Sequence, residues 1–166
     1  MQQPTEICPG CGVQLEHTAL HAPPPRYAAS GSCWLVFGEL SYYTLSLNDP
    51  YFIHQLTIDA YGAQHSGQQT KPITTVFALV GLQLAIEKRY TGRQVQQAHI
   101  ALARQQKDWP TLIMPDQTGA ITMQDVWQAE AGQHRNRRIH DWTESVWQRW
   151  APSADWVRDC VNRYGL

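Results

Sequence analysis

CWLVFGELSYYTLSLNDPYFIHQLTIDAYGAQH, residues 33–65, holds two apolar helical patterns with a break between them. In the first, Trp34, Leu35, Phe37, Leu40, Tyr43, Leu45 and Leu47 recur at spacings that give a helix from Cys33 to about Leu47 a broad buried face. Ser32 is its expected N-cap. Asn48-Asp49-Pro50 stops that helix and starts another, with Asp49 as cap and Pro50 in the first turn. The second helix runs from Tyr51 to about His65, and Gly67 is placed to end it. Joined by so short a turn, the two form an antiparallel hairpin, in which residues equidistant from the turn lie level. Cys33 is sixteen residues before Asp49 and His65 sixteen after it. At about 1.5 Å of rise per residue, both reach the open end of the hairpin together.

Further helices are expected at Ile73 to about Tyr90, at Arg93 to Gln106, and after a capping box made by Thr122 and Asp125. A long helix follows over Gln133 to Trp150, with Trp142, Val146 and Trp150 on one stripe that faces the core or lines a pocket. Ala151-Pro152-Ser153 breaks it before a last helix at Ala154 to Tyr164. Lys107 to Gly119 reads as loop, with a short extended piece at Thr111 to Met114. Val13 to Ser32 is irregular and stiffened by Pro23-Pro24-Pro25. The expected fold is all-α: a helical bundle over 33–166 with an irregular N-terminal arm, 1–32, clamped to it by a zinc site in one compact domain.

Thirteen Lys and Arg stand against fourteen Asp and Glu, a net charge of −1 in 166 residues. Nucleic acids and anionic membranes select for positive surplus, so neither is an expected partner. No apolar run approaches the eighteen or so residues of a membrane span. Met1 to Pro9 has neither a basic region nor an apolar stretch, so no secretory signal is expected and the location is read as cytoplasmic. The one basic concentration, His134 to His140, reads as a solvated helix face.

Four cysteines occur, at 8, 11, 33 and 160. Cys8-Pro9-Gly10-Cys11-Gly12 has the composition of a zinc knuckle. Pro9 pre-sets one backbone angle, and Gly10 and Gly12 permit the positive angles that aim two thiolates at one ion. Tetrahedral zinc needs two more ligands. Cys33 and His65, level at the end of the hairpin, complete a Cys8, Cys11, Cys33, His65 set. His17 and His21 are rivals for the fourth position, each within reach of the knuckle. Cys160 has no companion motif and reads as core filler.

The order Cys8-Pro9-Gly10-Cys11-Gly12, Gly31-x-Cys33-Trp34, and His54-x-x-Thr57-x-Asp59-Ala60-Tyr61-x-x-Gln64-His65-x-Gly67 resembles an uncharacterised family of small bacterial proteins. Trp142, Ser145-Val146-Trp147 and Trp150-Ala151-Pro152 are similar to that family's ending. The resemblance implies a shared fold and site without an established activity. It also implies a departure, since many relatives carry a His in the third helix where this chain has Ala78.

Asp59 interrupts a helix otherwise lined by Phe52, Leu56, Ile58 and Tyr61. By the level rule it faces Glu39, ten residues from the turn on each side, as a carboxyl pair whose burial raises one pKa. With His54 or Tyr61 nearby, that suits acid–base chemistry; the plainer reading is a hydrogen-bond network between two helices. His54 and His65 are eleven residues apart, about 16 Å along a helix, and cannot share one ion. No Glu-x-x-His pair supports a di-metal bundle, and His54, His99, His134 and His140 show no helical spacing that supports a three-His site. Two functions therefore stand: a zinc-stabilised binding or regulatory module for a small molecule or a protein partner, or a small metal-dependent or acid–base enzyme with a pocket around His54, Asp59 and Tyr61. A ligand-sized cavity beside Asp59 favours the enzyme.

Overall fold

The computed structural model describes residues 4–18, 22–105, 108–116 and 119–166. The chain is all-α, apart from one small ribbon at the arm. Seven helices are described: α1 (Gly31–Ser46), α2 (His54–Gln64), α3 (Pro72–Glu87), α4 (Gly92–Gln105), α5 (Met123–Gln128), α6 (Gln133–Arg149) and α7 (Ala151–Tyr164).

The arm is more regular than its sequence suggests. β1 (Thr5–Ile7) and β2 (Gln14–Glu16) pair antiparallel, Glu6 opposite Leu15, and the Cys-Pro-Gly-Cys-Gly knuckle is the turn between them. Cys8 N–H donates to Val13 O and Gly12 N–H to Cys8 O, both at 2.8 Å. This ribbon also corrects the cap of α1. Ser30, one residue before the helix, accepts from Cys33 N–H at 3.2 Å. Ser32 instead donates its hydroxyl to Glu16 O at 2.6 Å, while Glu6 accepts the Ser32 N–H at 2.9 Å. A carboxylate reaching across from β1 thus satisfies one of the free donors at the helix start and complements its dipole.

α2 begins later than its pattern predicts. Asp49 accepts from Tyr51 and Ile53 N–H groups, at 2.9 and 3.0 Å, so it organises a turn rather than a helix start. Phe52 then takes a left-handed backbone, φ 57°, and helical geometry begins only at His54. The reason is tertiary. Gly92 N–H donates to Tyr51 O at 2.8 Å, Gly92 presses against Phe52 O, and the Arg93 guanidinium lies 4.0 Å from the Phe52 ring centre.

α2 sits at the centre, packed against α1, α3, α4 and α6, and buried along almost its whole length. Its polar side chains are hydrogen-bonded inside the fold, as buried polar groups must be. Thr57 donates to His54 O at 2.7 Å, and Gln64 accepts from Trp142 Nε1 while donating to Ile121 O. Around it, Leu40, Leu79, Leu82, Leu102, Ile139, Trp142 and Trp150 fill the core. Glu87 of α3 ties the far side, accepting from Trp147 Nε1 of α6 and from Arg158 of α7.

The remaining boundaries differ in small ways. α3 ends at Glu87, because Arg89 adopts φ 59° to turn the chain into α4. The capping box at Thr122 and Asp125 forms in both directions. Thr111 to Met114 lies outside the helices and pairs with no described strand. α7 starts at Ala151, with Pro152 in the first turn, where a missing N–H is harmless, so no separate break is needed.

Candidate metal centre

Cys8 and Cys11 arrive on the knuckle, Cys33 on the first turn of α1, and His65 on the C-cap of α2. The antiparallel hairpin does bring the last two together: Cys33 Sγ is 3.3 Å from His65 Nε2. Cys11 Sγ lies 3.9 Å from Cys33 Sγ. All four donor atoms fall within 4.8 Å of one another, and all four residues are buried. Tetrahedral zinc with bonds of about 2.3 Å to sulfur would hold two sulfurs about 3.8 Å apart. The observed spacing fits that size of ion.

His65 is prepared for the role. A carbonyl only accepts, so the 2.9 Å contact between Nδ1 and Tyr61 O is donation by the ring, which leaves the Nε2 lone pair facing the thiols. Ligating histidines are commonly oriented by such a second hydrogen bond. The ring also stacks on Tyr61 at 3.8 Å between centroids, and Tyr61 stacks on Phe37 at the same distance. Tyr61 donates its hydroxyl to Cys33 Sγ at 3.7 Å.

The thiols crowd one another. Hydrogen bonds from Cys11 and then Cys33 pull the Cys8 thiol far below its usual range. Its neighbours Cys11 and Cys8, together with burial, push the Cys33 thiol far above it. Such a pocket accommodates one negative charge readily and three only with a cation among them. Gly10 matters here by closeness rather than by angle: a Cβ would run into Ala28 O and the His65 ring. Gly12 alone in the knuckle needs a positive φ, 73°. Downstream, Ala28 N–H donates to His65 O at 2.7 Å, so the arm is tied to the same residue twice.

The second cluster expected from the sequence does not form. His54 Nδ1 lies 2.8 Å from Thr44 Oγ1 of α1, Tyr61 belongs to the wall of the thiol cluster, and Asp59 points at α3 against Gly81. Glu39 is exposed and does not meet Asp59. Two residues level on a hairpin share a height, but their azimuth is set separately. Both lie six residues from Cys33 or His65, about 600° of helical rotation, and so leave the shared seam. A cavity does lie beside Asp59, lined also by Ala78 and His99, with a volume of about 300 Å³.

His17 sits at the surface with Nδ1 3.3 Å from Glu6, away from the cluster, and His21 lies outside the described residues. Among the described residues, His54, His99, His134 and His140 form no further metal-sized group. In the basic segment, Arg135 is spent on structure. It donates to Ala129 O and Trp127 O and lies over the rings of Tyr43 and Trp127. Cys160 is buried in the core.

Fold and site together define a helical bundle whose N-terminal arm meets it at a buried cluster of three cysteines and a histidine capable of holding a metal ion. The chain belongs to a family of unknown function, DUF5946, whose sequence model matches residues 6–151. That stretch takes in all four residues of the cluster. Neither the curated proteins nor the solved structures include a match to this chain. Among the described residues, no helix is long and apolar enough to cross a membrane.

Proposed function

We propose that Cys8, Cys11, Cys33 and His65 hold one zinc ion, and that the protein is a zinc-stabilised binding or regulatory module. The convergence of four buried donor atoms within 4.8 Å carries the reading. Four protein ligands fill a tetrahedral shell, whereas catalytic zinc keeps a position open for water or substrate. The ion's work is therefore mechanical: it fastens the arm to the open end of the α1–α2 hairpin. Three reduced thiols suit a reducing compartment, in line with a cytoplasmic location.

Elemental mass spectrometry on wild type and His65→Ala, purified side by side, tests it. About one zinc per chain in wild type and a marked loss in the variant is the expected result. Full zinc in both would remove His65 from the ligand set; no metal in either would end the proposal. Cobalt substitution adds a spectroscopic readout, because tetrahedral thiolate ligation gives intense visible bands that Cys33→Ser should alter.

A second reading, a small acid–base enzyme, draws on the cavity beside Asp59. Of the three residues the sequence nominates, only Asp59 lines it. Such an enzyme would pair Asp59 with His99 rather than with His54 or Tyr61.

A further inference from the structure

The cavity between α2, α3, α4 and the arm has a specific chemistry. Asp59, 4% exposed, accepts one hydrogen bond, from Gln55 Nε2 to Oδ1 at 3.1 Å. Oδ2 has no hydrogen-bond partner among the described residues and packs against Gly81 of α3. His99 spends Nε2–H on Phe77 O at 2.9 Å, so Nδ1 is left as an acceptor. Burial disfavours charge on both: the Asp59 carboxyl is held well above its usual range, and His99 is pushed down to about 4. The deep side of the cavity thus carries no fixed positive charge, an acceptor at His99 Nδ1 and a carboxyl that ionises only with a cation beside it.

The outer side is the opposite. Arg26, exposed on the arm, lies with its guanidinium 5.0 Å from the Tyr27 ring centre and has no carboxylate beside it among the described residues. The rest of the lining comes from Tyr27, Ile58, Phe77 and Thr74, and Ala78 with Gly62 keeps the space open. About 300 Å³ is at the small end of ligand sites. A buried carboxyl with a spare oxygen, a second acceptor beside it and a cation at the mouth match a molecule that carries both charges.

We propose that this cavity binds a small zwitterion of amino-acid size, with its ammonium on Asp59 and His99 and its carboxylate on Arg26. The ammonium supplies the positive charge that lets Asp59 ionise where burial otherwise forbids it. The carboxylate makes a two-pronged contact with the guanidinium, the geometry in which arginine outperforms lysine. The site goes beyond the metal reading and leans on it at one point. Tyr27 and Arg26 come from the arm, which Ala28 ties to His65.

The test uses three probes on the full-length protein as purified, its metal content measured separately so that the zinc reading can fail alone. 5-Aminopentanoate carries the two charges at opposite ends, n-butylamine only the cation and pentanoate only the anion. Binding is followed by shifts of the Ala78 and His99 amides in ¹H–¹⁵N spectra. 5-Aminopentanoate is expected to bind at least tenfold more tightly than either half. Arg26→Gln, a surface change that leaves the core untouched, should reduce 5-aminopentanoate to the affinity of butylamine. Asp59→Asn should reduce it to that of pentanoate. Equal binding of whole and halves, no effect of Arg26→Gln on 5-aminopentanoate, or no perturbation at those amides would each overturn the proposal.

Discussion

The carboxyl of Asp59 occupies the volume that a side chain at position 81 would need: a Cβ on Gly81 would overlap its oxygen atoms. Both residues are buried, one on α2 and one on α3, which pack directly against each other. Glycine here serves as space for a neighbour's polar group, since its backbone is ordinary helix. Gly81→Ala should therefore destabilise the protein by about 1–3 kcal/mol, the usual cost of overpacking a core. Asp59→Ala alone and the double variant complete a cycle read by denaturant unfolding. The double variant should recover most of the loss at position 81; simple additivity would mean the two do not share the space.

His99 makes stability depend on pH in a defined direction. Burial lowers its pKa in the fold to about 4, from 6.5. Between those values the unfolded chain binds a proton that the folded chain refuses, so stability rises with pH across the window and falls as acid is added. The full effect is roughly 3 kcal/mol. Asp59, shifted upward, contributes a slope of opposite sign, and both that term and acid loss of a metal are common to wild type and variant. His99→Gln should flatten the difference in melting temperature between pH 6.5 and 4. An unchanged slope would show that His99 titrates freely.

Gly10 and Gly12 separate two reasons for glycine within three residues. At Gly10 there is no room for a Cβ, whereas at Gly12 there is open space but a positive φ. Gly12→Ala should cost about 1 kcal/mol and leave metal binding close to wild type. Gly10→Ala must push the knuckle off Ala28 and His65, and should weaken zinc retention at least tenfold in competition with a chelator. Equal effects of the two would contradict this assignment.

Gln64 is the bridge between α2, α6 and the segment before α5, since Trp142 Nε1 donates to it at 2.9 Å and it donates to Ile121 O at 2.8 Å. Gln64→Leu keeps the size and removes these contacts, leaving a buried indole N–H unsatisfied. About 1–3 kcal/mol of stability should be lost, measured by thermal or denaturant unfolding.

The helices were legible because apolar spacing holds over most of the chain, whereas of the expected side-chain caps only the Thr122 box forms as read. Thr122 with Asp125, and the apolar stripe of Trp142, Val146 and Trp150, speak for themselves at short range. The level rule on the hairpin led to Cys33 and His65 because both sit on the seam at its open end. It misled at Asp59 and Glu39, where height agrees and azimuth does not. The late start of α2 was not readable, because Phe52 is forced into its left-handed backbone by Gly92 and Arg93, about forty residues on. Nor was the β-ribbon, whose three-residue strands are too short and polar to show alternation. The arm's part in the cavity beside Asp59 has no sequence signal at all: Arg26 and Tyr27 reach it through the tertiary course of an irregular segment.

All four members of the thiol–histidine cluster lie between positions 8 and 65, ahead of every residue of α3 to α7. During synthesis they leave the ribosome before the helices that will bury α2 exist. An ion captured then would cross-link the nascent chain early, pairing arm with hairpin while the other faces of α2 are still bare. Assembly of the rest becomes docking onto a preformed template, and metal supply becomes a condition on the order of folding as well as on its end point.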